Sequence, residues 1–191
     1  MEIIVKNYQP PKINQKEILR YSGMKGENLE ITEIINECLN EINSLDYRVC
    51  YAVVDISVKN GVDFNAFKVN SIDLSKNLQG YDKAVVFVAT VGIEIDRLIK
   101  KYSVLSPVKA VIFQAIGAER IESLCNTFCK DLKGEFSVVA PRFSAGYGDF
   151  SLEYQTEIFK LLNPEKYIGV TLLDSKVMLP SKSVTAVVGV K

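Results

Sequence analysis

The residues Pro141-Arg142-Phe143-Ser144-Ala145-Gly146-Tyr147-Gly148-Asp149 place a cation, a hydroxyl, two glycines, an aromatic ring and an acid in one short stretch. A guanidinium grips a carboxylate through two parallel hydrogen bonds, glycines let backbone approach a ligand, and a ring gives an apolar or cation-attracting wall. The stretch therefore reads as a ligand-binding loop suited to a zwitterionic amino acid or a sulfonium. The competing reading is a turn between a strand and a helix, with Arg142 paired to a surface acid and Tyr147 packed on the core.

A second chemical feature lies upstream. On a helix opened by Pro107, the positions Val111, Ala115, Ala118, Glu122, Cys125 and Cys129 advance by four or three and so share a face. Glu122 is the one charged member, and a carboxylate in an apolar seam needs a cation or several donors. Two partners suit it: an ordinary Lys or Arg at the edge of the seam, or a ligand ammonium held opposite Arg142. Glu119, on another face, is assigned to solvent.

Composition narrows the chemistry. Histidine is absent, which removes the usual neutral-pH general base, histidine-dependent nucleophile systems and histidine metal sites. Lys plus Arg and Asp plus Glu both number 23, so no basic field points to nucleic acid or an anionic membrane. Cys38, Cys50, Cys125 and Cys129 contain no Cys-x-x-Cys and read as buried, reduced thiols. No apolar run nears the ~20 residues of a membrane span, and a cytoplasmic protein is expected. Gly146-x-Gly148 lacks the third glycine of a dinucleotide fingerprint, and there is no phosphate-loop motif. Thr90-Val91-Gly92 reads as the end of a strand, or else as a helix start near an anion.

These residues need elements to position them. With 48% hydrophobic and 24% charged residues, the 191-residue chain supports a sizeable core and is read as one domain, 1–191. A short first strand precedes Pro10-Pro11 and a helix near Lys16–Tyr21. The periodicity of Ile31, Ile34, Ile35, Cys38, Ile42 and Leu45 predicts a helix from Leu29 to Leu45, with Asn28 as its cap. Arg48–Lys59 reads as a strand turning at Asn60-Gly61 into a returning strand, Val62–Ile72. Lys83–Thr90 reads as a buried strand, followed by a helix from about Ile93 to Tyr102. A longer helix starts at Ser106-Pro107 and stops at Gly134. A helix near Glu153–Leu162 and strands near Gly169–Leu173 and Val184–Val190 complete the chain. Strands and helices without regular alternation indicate α+β.

The order of pieces carries a resemblance. Arg142-x-x-x-Gly146-Tyr147 is followed by a helix, by Gly169, by Leu172-Leu173-Asp174-Ser175 and by Met178-Leu179-Pro180 with Ser183-Val184. With Ala115 to Glu122 upstream, this resembles the activation domain of cobalamin-dependent methionine synthase, most clearly from about Ala115 to Val190. Leu19-Arg20-Tyr21-Ser22-Gly23 and Ala89-Thr90-Val91-Gly92 look like stand-alone forms of that domain. The resemblance implies a mostly antiparallel twisted sheet flanked by helices. It also implies a module that binds S-adenosylmethionine and supports reductive methylation of cobalamin carried by a separate methionine synthase polypeptide, with a flavodoxin-like or other electron donor.

In that role Arg142 would bind the methionyl carboxylate, Glu122 the α-ammonium, and Ser144 or nearby backbone the remaining polar atoms. Tyr147 would line the adenosyl or sulfonium side, and Gly146 would permit close backbone approach. Service to another corrinoid methyltransferase, or a non-catalytic small-molecule sensing module, are the alternative roles. The chain departs from the family where Gly148-Asp149-Phe150 replaces a Pro-Ala-Cys-Pro-like continuation, and where Val187 and Val188 replace aromatic residues of the last strand. No position answers to an acidic contact from the family's N-terminal part.

Overall fold

A computed structural model describes residues 1–24 and 29–191. In chain order the elements are β1 (Ile4–Asn7), α1 (Gln15–Ser22), α2 (Leu29–Glu41), β2 (Arg48–Asp55), β3 (Ser57–Lys59), β4 (Gly61–Asp63), β5 (Lys68–Val69) and α3 (Ile72–Asn77). They continue with β6 (Lys83–Thr90), α4 (Glu94–Leu105), α5 (Pro107–Glu135), a 3-10 turn (Leu152–Tyr154), α6 (Gln155–Leu162), α7 (Pro164–Ile168), β7 (Thr171–Leu172), β8 (Met178–Leu179) and β9 (Ser183–Val190). The proposed cap at Asn28 lies outside the described residues.

The central sheet has the order β1-β2-β6-β9 with every neighbouring pair antiparallel, as the α+β reading requires. Its central strands are apolar on both faces because both faces are covered. Tyr51, Phe87 and Ala186 align across β2, β6 and β9 and point into one core. Their neighbours Ala52, Val86 and Val187 align the same way and point into the other. This follows from the two-residue period of a strand.

Helix α5 closes the first core. Pro107 sits in its first turn, where a missing N–H costs nothing. Ile112, Phe113, Ile116, Leu124, Phe128 and Leu132 are fully buried along it. The Phe128 ring lies 5.1 Å from that of Tyr51 and 4.8 Å from that of Phe87. Truncating such a ring costs about 3–5 kcal/mol. The second core packs Phe64, Leu74, Phe150, Ile158 and Ile168 beneath the opposite face.

Several expected boundaries differ. The strand beginning at Arg48 breaks at Ile56, and the hairpin at Asn60-Gly61 joins β3 to β4 in a separate sheet, β3-β4-β5. The returning strand stops at Asp63, whose carboxylate accepts the Asn65 N–H at 2.9 Å while Asn65 takes φ +64°. This local side-chain bond competes with the ladder. Ser71, read as strand, caps α3 by accepting the Leu74 N–H. Helix α2 ends at Glu41, short of Leu45. Gly134 does not stop α5, which continues to Glu135 until Phe136 takes an extended conformation. Asn163, at φ +47°, ends α6 and leads into the short helix α7, leaving only Thr171–Leu172 of the expected Gly169–Leu173 strand. Among the described residues no helix is long and apolar enough to cross a membrane.

Candidate functional site

The loop bearing Arg142 is tied to the sheet at one end and to a helix at the other. Phe143 and Val187 exchange backbone hydrogen bonds of 2.9 and 2.8 Å, and the Ala140 N–H donates to the Gly189 carbonyl at 2.8 Å. The approach to the loop thus runs along the free edge of β9. Phe143 packs into the second core, whereas its neighbour Arg142 reaches the exposed side of α5.

There Arg142 Nη1 donates to Asn126 Oδ1 at 2.8 Å, and Nη2 forms a short ion pair with Glu122. It also interacts with Cys129, so its partners Glu122, Asn126 and Cys129 follow one another along one stripe of α5. Burial opposes the Arg142 charge, but the adjacent Glu122 carboxylate outweighs it and holds the guanidinium in its charged form. Burial pushes the Cys125 thiol well above the ordinary range.

The loop then turns sharply. Gly146, at φ +95°, donates its N–H to the Phe150 carbonyl at 2.7 Å, and the Phe150 N–H donates to the Tyr147 carbonyl at 3.0 Å. Asp149 docks the far end on α3. Its carboxylate accepts the Ser71 hydroxyl, the Ile72 N–H at 2.6 Å and the Asp73 N–H at 3.2 Å. The Ser71 hydroxyl, followed by the Ile72 amide, holds the Asp149 carboxyl below its ordinary pKa.

Between the loop, α5, α6 and the start of β9 lies a cleft of about 460 Å³, a size typical of small-molecule sites. Glu122, Arg142, Ser144 and Tyr147 line it together with Phe143, Ala145, Gln155, Met178, Ser183, Val184 and Thr185. Four of the five residues singled out in the sequence are thus brought to one cavity. Gly146 is not on its wall and serves the turn behind it. Tyr147 is 67% exposed, so it is not packed on the core as the turn reading required, although Arg142 does pair with an acid, Glu122, as that reading also required. Larger hollows of about 1140 Å³ by α1 and α2 and about 680 Å³ beside α3 have no arginine on their walls.

The apolar seam on α5 is less uniform than its spacing suggested. Val111 is 46% exposed, and the Glu122 side chain, 38% exposed, stands at the edge. The buried charge is instead Glu119, which the sequence reading gave to solvent and which is 1% exposed. Arg120, 3% exposed, pairs with it and donates to the Pro11 carbonyl at 2.6 Å and the Lys12 carbonyl at 3.1 Å. Glu119 also accepts the Ser123 hydroxyl at 2.7 Å and the Asn14 N–H at 3.1 Å. This pair fastens the N-terminal segment to α5, and its ladder of internal donors is what makes the burial tolerable.

Sequence reasoning also missed Gln155, Ser183 and Thr185 on the cleft wall. The positions Ser183 and Thr185 alternate along β9, but nothing local shows which side of that strand meets a cavity. Gly92 donates its N–H to Thr90 Oγ1 at 3.1 Å, which fits the strand-ending reading of that motif. All four cysteines are free, and Cys129 alone is not fully buried.

No protein-family model and no curated protein sequence matches the chain. A solved structure described as the MetH reactivation domain bound to AdoHcy matches with a TM-score of 0.69 at 14% identity, over 100% of this chain and 78% of the other. The antiparallel sheet, its covering helices and a correspondence along the whole of this chain agree on one conclusion: this chain has the fold of the methionine synthase reactivation domain.

Proposed function

We propose that residues 1–191 form one S-adenosylmethionine-binding activation module that supports reductive methylation of cobalamin on a separate, cytoplasmic methionine synthase polypeptide. The observation that carries this reading is the meeting of Arg142 and Glu122 at the wall of the cleft, in a fold shared with a domain described as bound to AdoHcy. Arg142 offers a planar fork for the ligand carboxylate, and Glu122 an acceptor for its α-ammonium. Met178, Phe143 and Tyr147 supply a soft, apolar wall for the sulfur and its substituents.

The two charged residues satisfy one another in the free protein, and a zwitterion exchanges that pair for two new ones. Each charge finds an opposite partner before and after binding, so the exchange avoids stranding either. The partner's corrinoid supplies the nucleophile, and a flavodoxin-like or other donor the electron. This chain's residues need only fix the methyl donor's position and orientation, which is work that requires no general acid or base. The absence of histidine is compatible with that role.

Titration calorimetry with S-adenosylmethionine and S-adenosylhomocysteine tests the site directly. Arg142→Ala should raise Kd at least about tenfold, or ~1.4 kcal/mol. Arg142→Lys should recover part of the loss, since an ammonium lacks the fork. Unchanged affinity in a folded Arg142→Ala variant refutes the assignment. Reductant-dependent methylation of a cobalamin-loaded methionine synthase lacking this module tests the partner.

A further inference from the structure

Among the described residues three buried side-chain polar atoms meet no hydrogen-bond partner: Arg48 Nε, Asn77 Oδ1 and Gln155 Oε1. Only Gln155 lines the cleft with Arg142. It is the first residue of α6 and is 4% exposed. Its amide nitrogen makes one long contact, 3.4 Å, to Thr185 Oγ1. Thr185 is itself 2% exposed, and the neighbouring Ser183 hydroxyl is engaged with Thr90 and the Pro180 carbonyl.

A buried amide oxygen without a donor costs about 1–3 kcal/mol. Nothing in the packing of α6 against the sheet demands a glutamine there: the adjoining core positions Ile158 and Leu162 of the same helix are aliphatic. The amide therefore has the character of a group awaiting a donor from the cleft. Arg142 and Glu122 account for the carboxylate and ammonium of an amino-acid-bearing ligand, whereas Gln155 lines the same cleft from another element, α6. The donor left for Gln155 is an exocyclic amine at the ligand's other end.

We propose that Gln155 reads the exocyclic amine of the ligand's purine base, and so makes the site selective for adenine over 6-oxopurines. This rests on the nucleoside-bearing ligand proposed above. Oε1 accepts from the amine, and the amide N–H not directed at Thr185 is free to donate to an adjacent ring nitrogen. Glutamine amides recognise adenine through this donor–acceptor pair in other settings. While the contact to Thr185 keeps the amide in this orientation, a 6-oxopurine sets a carbonyl against Oε1, acceptor against acceptor, and leaves the amide oxygen unsatisfied.

The test compares S-adenosylhomocysteine with S-inosylhomocysteine by titration calorimetry on the wild-type chain and on Gln155→Leu and Gln155→Met. The wild type should bind the adenosyl compound at least about tenfold more tightly, and both variants should bring the two affinities within about threefold. Equal wild-type affinities overturn the inference while leaving the proposed function standing, as does discrimination that survives in a folded Gln155 variant. Failure of the wild type to bind either compound overturns the proposed function, and the assignment of Gln155 falls with it. If both variants prove unfolded, the wild-type ratio with the two compounds still decides against the proposal when it is near one.

Discussion

Replacing Arg120 by methionine should be among the most damaging single changes on α5, although it touches no ligand. Its side chain is 3% exposed and that of its partner Glu119 is 2% exposed. Removing the cation leaves the Glu119 carboxylate with only the Ser123 hydroxyl and the Asn14 amide as donors. Breaking one side of a buried pair costs about 3–5 kcal/mol, chiefly the uncompensated charge left behind. The carbonyls of Pro11 and Lys12 also lose their donor, but Pro11 is only half-buried and Lys12 exposed, so water can replace it.

Most of the cost therefore comes from the stranded carboxylate, and neutralising it should rescue most of the loss. Arg120→Met with Glu119→Gln should be more stable than Arg120→Met alone by about 2 kcal/mol, a coupling within the range of contacting residues. Urea unfolding followed by far-ultraviolet circular dichroism measures this, since the chain has no tryptophan to report. A loss below about 1 kcal/mol in Arg120→Met, or strictly additive effects in the double variant, refutes the reasoning. The lock bears on function because Glu122 lies one turn beyond Glu119 on the same helix. Releasing the N-terminal segment beside Glu119 and Glu122 should weaken the proposed S-adenosylhomocysteine binding even in variants that remain folded.

Gly148→Ala forces alanine into φ +53° and drives its Cβ into the Asp73 carboxylate; the backbone strain alone costs about 1–2 kcal/mol. Gly148→Asn should be milder, and equal urea midpoints for both variants and wild type would contradict this. The depressed Asp149 pKa implies a contribution present above the unfolded value of about 3.9 and lost as pH falls through the folded value below it. Melting temperature should therefore fall more steeply as pH drops below about 4 in wild type than in Asp149→Asn, and parallel profiles would argue against it. Burial pushes the Cys50 thiol up to about 12 and the Cys38 thiol up to about 11. A thiol reagent at neutral pH should thus modify Cys129 first, and all four cysteines only in denaturant; prompt labelling of all four in the native protein would refute the buried assignment.

How much of this was legible depends on whether the signal was local. The apolar run at Lys83–Thr90 announces a strand covered on both faces, and the Pro107 start of α5 is written in its first turn. Arg142, Glu122, Ser144 and Tyr147 could be chosen by residue type and spacing. Their shared cleft could not, because Arg142 and Glu122 sit on separate elements that only the edge of β9 brings together. Glu119 reads as solvated when it is set against the stripe through Glu122. The parallel stripe Ile112, Ile116, Glu119, Ser123 advances by the same steps and carried the missing signal. Asp149 read as a departure from the family loop, whereas it is the anchor that holds the loop to α3.

Sequence alone determined the apolar run of the central strand, the start of α5, the lack of histidine chemistry and the cationic, glycine-bearing loop. Tertiary structure decided which charge is buried, which is at the cleft, and which amide is left without a donor. The physical reason is that periodicity specifies the face a residue occupies on its own element. What lies opposite that face is set by contacts such as Asn14 to Glu119 and Ile72 to Asp149, separated by 105 and 77 residues, and these exist only once the chain has closed on itself.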